Sequence, residues 1–122
     1  MSDRMLFIGW GEVVRGREER AVAVFNEGVG FYGRCQQEGR LESFDAVFLN
    51  RHAGHLVGYF ELHGSPEQLF ALREDPEFQR HLVAANLIVD DLRVVEGHTG
   101  AGIARQMELY TDEIAKVPQT TA

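Results

Sequence analysis

An α+β fold of order β-α-β-β-α-β, followed by one further helix, is predicted by three observations. Two strand patterns, Ser43 to Asn50 and His55 to His63, meet at the short turn Arg51-His52-Ala53-Gly54. The second of them runs straight into a helix start at Ser65-Pro66-Glu67-Gln68. Before the pair, apolar residues recur every three or four positions over a long stretch, as one buried helical stripe requires.

Each element has its own signal. Met5 to Val14 is rich in Leu, Phe, Ile, Trp and Val and stops at Arg15-Gly16-Arg17, so it predicts a first strand. From Glu18 to Gln37 the stripe is Val22, Phe25, Val29 and Tyr32, with Ala21, Gly28 and Cys35 beside it, and Gly39 supplies the C-terminal stop. In the second strand Phe44, Ala46 and Phe48 share one face, and Asp45, Val47 and Leu49 the other. In the third, Leu56, Gly58, Phe60 and Leu62 oppose Val57, Tyr59, Glu61 and His63.

Ser65 can cap the next helix, Pro66 suits its first position and Gln68 completes a capping box. Leu69, Phe70 and Leu72 are expected to bury that helix. Asp75-Pro76 then breaks it, because the residue before proline avoids the helical region, while Asp75 can cap a second segment through Phe78, Leu82 and Val83. The fourth strand is expected after Asp90-Asp91. Ile103, Met107, Tyr110, Ile114 and Val117 make an apolar seam on a last helix over about 102–117, ending before Pro118, and the tail Gln119 to Ala122 is expected to fray.

Composition narrows the function classes. The 122 residues fit one domain, with a core over about 5–97. A formal charge of −7 with no Lys or Arg cluster repels phosphate backbones and anionic lipid, so neither nucleic acid nor membrane is an expected partner. The single cysteine, Cys35, excludes an intramolecular disulfide and suits a reducing cytoplasm. Met5 to Trp10 is too short for a signal-peptide core or a membrane span.

The order β-α-β-β-α-β is the ferredoxin-like split βαβ arrangement. Together with the run GSPEQLFALREDPEFQRHL from Gly64 to Leu82, it resembles the dimeric α+β barrel superfamily, which includes antibiotic-biosynthesis monooxygenase-like, stress-responsive barrel and YCII-related families. The resemblance implies a homodimer in which two sheets pair, helices cover the outer faces, and a cleft takes a small organic molecule or, in some members, haem. Functional residues differ between these families, and the resemblance assigns none here.

The candidate site residues come from the strand patterns. Tyr59, Glu61 and His63 alternate along one face of the third strand, and Glu96 and His98 alternate near the end of the fourth. If those faces coincide, two carboxylates and two imidazoles line one cavity, with Glu61 and His63 as the proton-transfer pair. A polar sheet surface or intersubunit hydrogen bonds account for the same residues. Trp10 and His81 are candidate pocket lining, and His81 a conceivable haem ligand.

Three other motifs lead to no site. Gly28-Val29-Gly30-Phe31-Tyr32-Gly33 matches the dinucleotide fingerprint in letters but lacks the strand-to-helix turn and the acidic residue of the next strand. His52 and His55 on the turn, and Asp90-Asp91, have too few ligands around them for a metal. The sequence therefore predicts no metal and no cofactor. It predicts a dimeric barrel that binds a small, partly apolar molecule, with cofactor-independent acid-base or oxygenase-type chemistry, or else a non-catalytic binding or assembly module, with haem binding a third reading.

Overall fold

A computed structural model of the chain describes residues 3–118 and 120. Strands β1 (Arg4–Trp10), β2 (Ser43–Phe48), β3 (Gly58–Gly64) and β4 (Arg93–His98) form one antiparallel sheet in the order β2-β3-β1-β4. Helix α1 (Glu18–Gln37) joins β1 to β2, α2 (Pro66–Glu74) and α3 (Pro76–Asn86) join β3 to β4, and α4 (Ala101–Ile114) follows. The fold class is α+β and ferredoxin-like, with the expected additional C-terminal helix.

Side-chain alternation sorts the sheet into two faces. Leu6, Ile8 and Trp10 stand with Leu62, Phe60 and Gly58, their register partners on β3, on the face that α1, α2 and α3 cover. Leu6, Ile8, Phe60 and Leu62 are buried there with Val24, Phe31, Tyr32, Leu69, Leu72 and Phe78. The opposite face carries Met5, Phe7, Asp45, Val47, Tyr59, Glu61, His63 and Val95. The Phe7 and Tyr59 rings lie 5.0 Å apart on it, and Val95 is 51% exposed.

The helix boundaries follow local chemistry. The Ser65 hydroxyl accepts from the Gln68 backbone N–H at 3.1 Å, and the Gln68 side chain accepts from the Ser65 N–H at 2.8 Å, completing the capping box. The Asp75 carboxylate caps α3 through the Glu77 N–H at 2.6 Å and is also ion-paired to Arg40. α1 closes at Gly39, whose φ of +74° is open to glycine at little cost.

Several expectations need correction. The buried stripe of α1 is Val24, Gly28, Phe31, Tyr32 and Cys35, and Val22 is 62% exposed. Phe25 and Val29 are partly buried against the core, so the covered face is turned toward Val24 and Phe31 and away from Val22. Phe70 and Val83 are likewise exposed, since the buried residues of α2 and α3 are Leu69, Leu72 and Phe78. β1 ends at Trp10, beyond which Val13 makes a single bridge to Val89. The link between β2 and β3 is a loop over 49–57, organised by His52, whose ring nitrogens meet the Leu56 carbonyl at 2.7 Å and the Gly54 N–H at 2.9 Å.

α4 stands away from the body. Only Gly102 in it is buried, held close to the Asp3 carbonyl, while Arg105 ion-pairs with Asp3. Ile103, Met107 and Tyr110 are more than half exposed. No helix among the described residues is long and apolar enough to cross a membrane. Of the tail expected to fray, Gln119, Thr121 and Ala122 lie outside the described residues.

Candidate functional site

Between α1, α3 and the sheet lies a cavity of about 440 Å³. Its aromatic wall is built from Trp10, Phe25, Phe48 and Phe60. Phe25 and Phe60 stack at 5.3 Å, and Trp10 packs at 5.5 Å from Phe60 and edge-on to Phe25 at 6.2 Å. Glycine makes this packing possible, since a β-carbon on Gly58 would lie 2.8 Å from the Trp10 indole. Ile88, Val89 and Leu92, on the return from α3 to β4, close one side. The Gly11 N–H holds that return in place by donating to the Asp90 carbonyl at 2.7 Å, and the Asp90 N–H donates to the Glu12 carbonyl at 2.8 Å.

Two titratable groups line the cavity, Glu18 and His81. His81 projects from α3 toward α1, edge-on to the Tyr32 ring at 5.8 Å. Burial pushes its pKa below the ordinary histidine value, opposed by the Glu27 carboxylate. A neutral imidazole in apolar surroundings can accept a proton or a hydrogen bond. Glu18, at the exposed start of α1, is held below its ordinary pKa chiefly by the Gly16 N–H and so stays anionic. A neutral ligand suits this lining better than an anionic one. For haem the lining offers one imidazole, and no Lys or Arg among its residues to pair with the propionates.

The strand register separates the sequence-predicted residues. Phe7 of β1 lies opposite Glu61 on one side and Val95 on the other, whereas Leu6 lies opposite Leu62 and Glu96. Glu61 and Glu96 therefore point to opposite faces, and the expected four-residue cluster does not assemble. Glu96 pairs with Arg73 of α2 at 2.8 Å, and His98 is exposed at the end of β4 opposite Arg4. Tyr59 packs on Phe7 on the uncovered face, where Glu61 and His63 meet at 3.2 Å. Trp10 and His81 line the cavity on the other face. In the sequence Phe25 and Phe60 read as core alone, and the one signal for Asp45 is its place on the same β2 face as Val47.

The glycine motif lies wholly inside α1. Gly28 makes room for His81, while a β-carbon at Gly30 or Gly33 would meet nothing within 4 Å. A dinucleotide site needs those glycines at a strand-to-helix turn, which they do not occupy here.

Comparison with solved structures shows the same architecture. A dimeric protein of unknown function and ferredoxin-like fold from Bacteroides fragilis NCTC 9343 matches at a TM-score of 0.57 and 7% identity, over 78% of this chain and 95% of that one. The fold is the ferredoxin-like α+β sandwich. A candidate antibiotic biosynthesis monooxygenase from Chloroflexus aurantiacus J-10-fl matches this sandwich at a TM-score of 0.52 and 16% identity, over 80% and 93% of the two chains. SnoaB, a cofactor-independent oxygenase from Streptomyces nogalater, matches at 0.49 and 16%, over 81% and 93%, a likeness too loose to carry an argument. No family model matches the chain, and no curated protein matches it.

Proposed function

We propose that the chain works as a cytoplasmic homodimer that binds a small, uncharged, largely apolar organic molecule in the cavity between α1, α3 and the sheet. The observation that carries this reading is one neutral imidazole, His81, set in a cavity otherwise walled by aromatic and aliphatic side chains, with Glu18 the other titratable group. Such a lining binds by burying apolar surface and orients its ligand through few polar contacts. A ligand with a weakly acidic O–H or C–H could hand its proton to His81 Nε2 or Nδ1. That proton transfer begins acid-base chemistry and is equally a first step of cofactor-independent oxygenation. The similarity in fold to a candidate monooxygenase supports this class of reaction.

The dimer is supported by the uncovered sheet face, where Phe7, Val47, Tyr59 and Val95 form an apolar surface that a second sheet would bury. That face also supports a second reading, in which the chain is a non-catalytic assembly module. Native mass spectrometry of the purified protein tests both parts. The expected result is the mass of two chains carrying a retained organic molecule that is lost in Ala85→Phe, a change that fills the cavity. A dimer that never carries a ligand, with no turnover lost in His81→Phe, would favour the assembly module.

A further inference from the structure

We propose that Asp45, Glu61 and His63 form a binding site for a divalent transition-metal ion on the sheet face opposite the cavity. The register creates this site. Asp45 lies directly across from Glu61 and one pleat from His63, which faces Ser43. The His63 Nε2 is 3.2 Å from Glu61 Oε2 and 3.8 Å from Asp45 Oδ2, and one donor atom from each residue lies within 4.8 Å of the other two. Ligands held at about 2.1 Å from one ion are separated by roughly 3.0 to 3.4 Å in octahedral or tetrahedral geometry. Small side-chain adjustments therefore suffice to close the set on an ion.

Charge balance points the same way. Two carboxylates directly opposed on neighbouring strands repel each other. Among the described residues no Lys or Arg ion-pairs with either of them, and His63 is their shared partner. A dication held by the three side chains would balance both carboxylate charges. Met5 opposite His63 and Phe7 opposite Glu61 give the site an apolar border, and the His63 side chain is only 19% exposed. One imidazole nitrogen with carboxylate oxygens suits Zn²⁺, Mn²⁺, Fe²⁺ or Co²⁺, whereas Ca²⁺ and Mg²⁺ take oxygen alone and Cu⁺ prefers sulfur. Three protein ligands leave further coordination positions for water or, where a second sheet covers this face, for a group of the neighbouring copy.

Titration of Co²⁺ into chelator-treated full-length protein, followed by visible absorption and calorimetry, tests the site. Saturable binding of one Co²⁺ per chain is expected. Asp45→Asn, Glu61→Gln and His63→Gln should each weaken it by about tenfold or more. His52→Gln, in the separate loop histidine pair, should leave it unchanged. Without metal, Asp45→Asn should melt no lower than wild type, because it relieves repulsion, so lost binding there is not lost folding. Absence of saturable binding, binding unaltered in all three ligand variants, or binding that depends on His52 would each overturn the proposal. The cavity reading is tested by a different ligand and different residues, so it stands or falls separately.

Discussion

The imidazole of His81 occupies the space that a β-carbon on Gly28 would fill. Such a carbon would lie 2.8 Å from Cε1 and 2.9 Å from Nε2 of the ring. The bare backbone of α1 at this point is therefore what admits the cavity's imidazole. Gly28→Ala should gain about 1 kcal/mol of helix propensity and lose it again by displacing the ring. In an His81→Ala background the clash is gone, and the same change should stabilise. A double-mutant cycle in urea measures the coupling, and purely additive effects would contradict the contact.

The depressed pKa of His81 has a sign that can be checked. The unfolded chain takes up a proton on this residue more readily than the folded one. Its contribution to stability is thus fully present above the ordinary histidine pKa of 6.5 and is lost as the pH falls through that value toward the folded one. Melting temperature measured across mildly acidic pH should fall more steeply in wild type than in His81→Gln. Parallel curves would contradict a buried, neutral His81.

Phe60 and Tyr32 test the two kinds of core contact. Phe60 is 3% exposed and touches the rings of Trp10, Phe25 and Tyr32, so Phe60→Ala should cost about 3 to 5 kcal/mol in denaturant unfolding. The buried Tyr32 hydroxyl has no hydrogen-bond partner among the described residues. Tyr32→Phe should therefore leave stability unchanged or raise it, and a loss above about 1 kcal/mol would reveal a partner for that hydroxyl.

How far the sequence could be read follows from what each element depends on. The capping box at Ser65, the proline break at Asp75-Pro76 and the span of α1 are set by neighbours in the chain, and they stand where their residues predict. The faces of β3 were equally legible, because alternation within a strand is local. The candidate site was less so. Whether Glu96 joins Glu61 depends on how β4 and β3 each register on β1, and a shift of one residue moves a side chain to the other face. The cavity depends on how far α1 and α3 splay, and Gly28 and His81 lie 53 residues apart in the chain, at positions 28 and 81. No pattern within either helix announces that pairing.

The uncovered sheet face predicts the assembly state. Phe7→Asp places a charge at the Phe7–Tyr59 contact and should shift a wild-type dimer to monomer in light scattering over a concentration series. Truncation after Gly100 removes the exposed Ile103, Met107 and Tyr110 and should weaken the dimer if α4 packs on the neighbouring copy. A wild-type monomer at high concentration would contradict the paired-sheet arrangement. An unchanged dimer after truncation would reject only the part of α4.

Trp10 is the one tryptophan of the chain, and it lines the cavity. Its fluorescence therefore reports on that space directly, and titration with a naphthol, which has an apolar body and a weakly acidic hydroxyl, tests the central claim. A saturable change in Trp10 emission is expected, abolished in Ala85→Phe and weakened in His81→Phe. No saturable change, or an identical response from both variants and wild type, would contradict it.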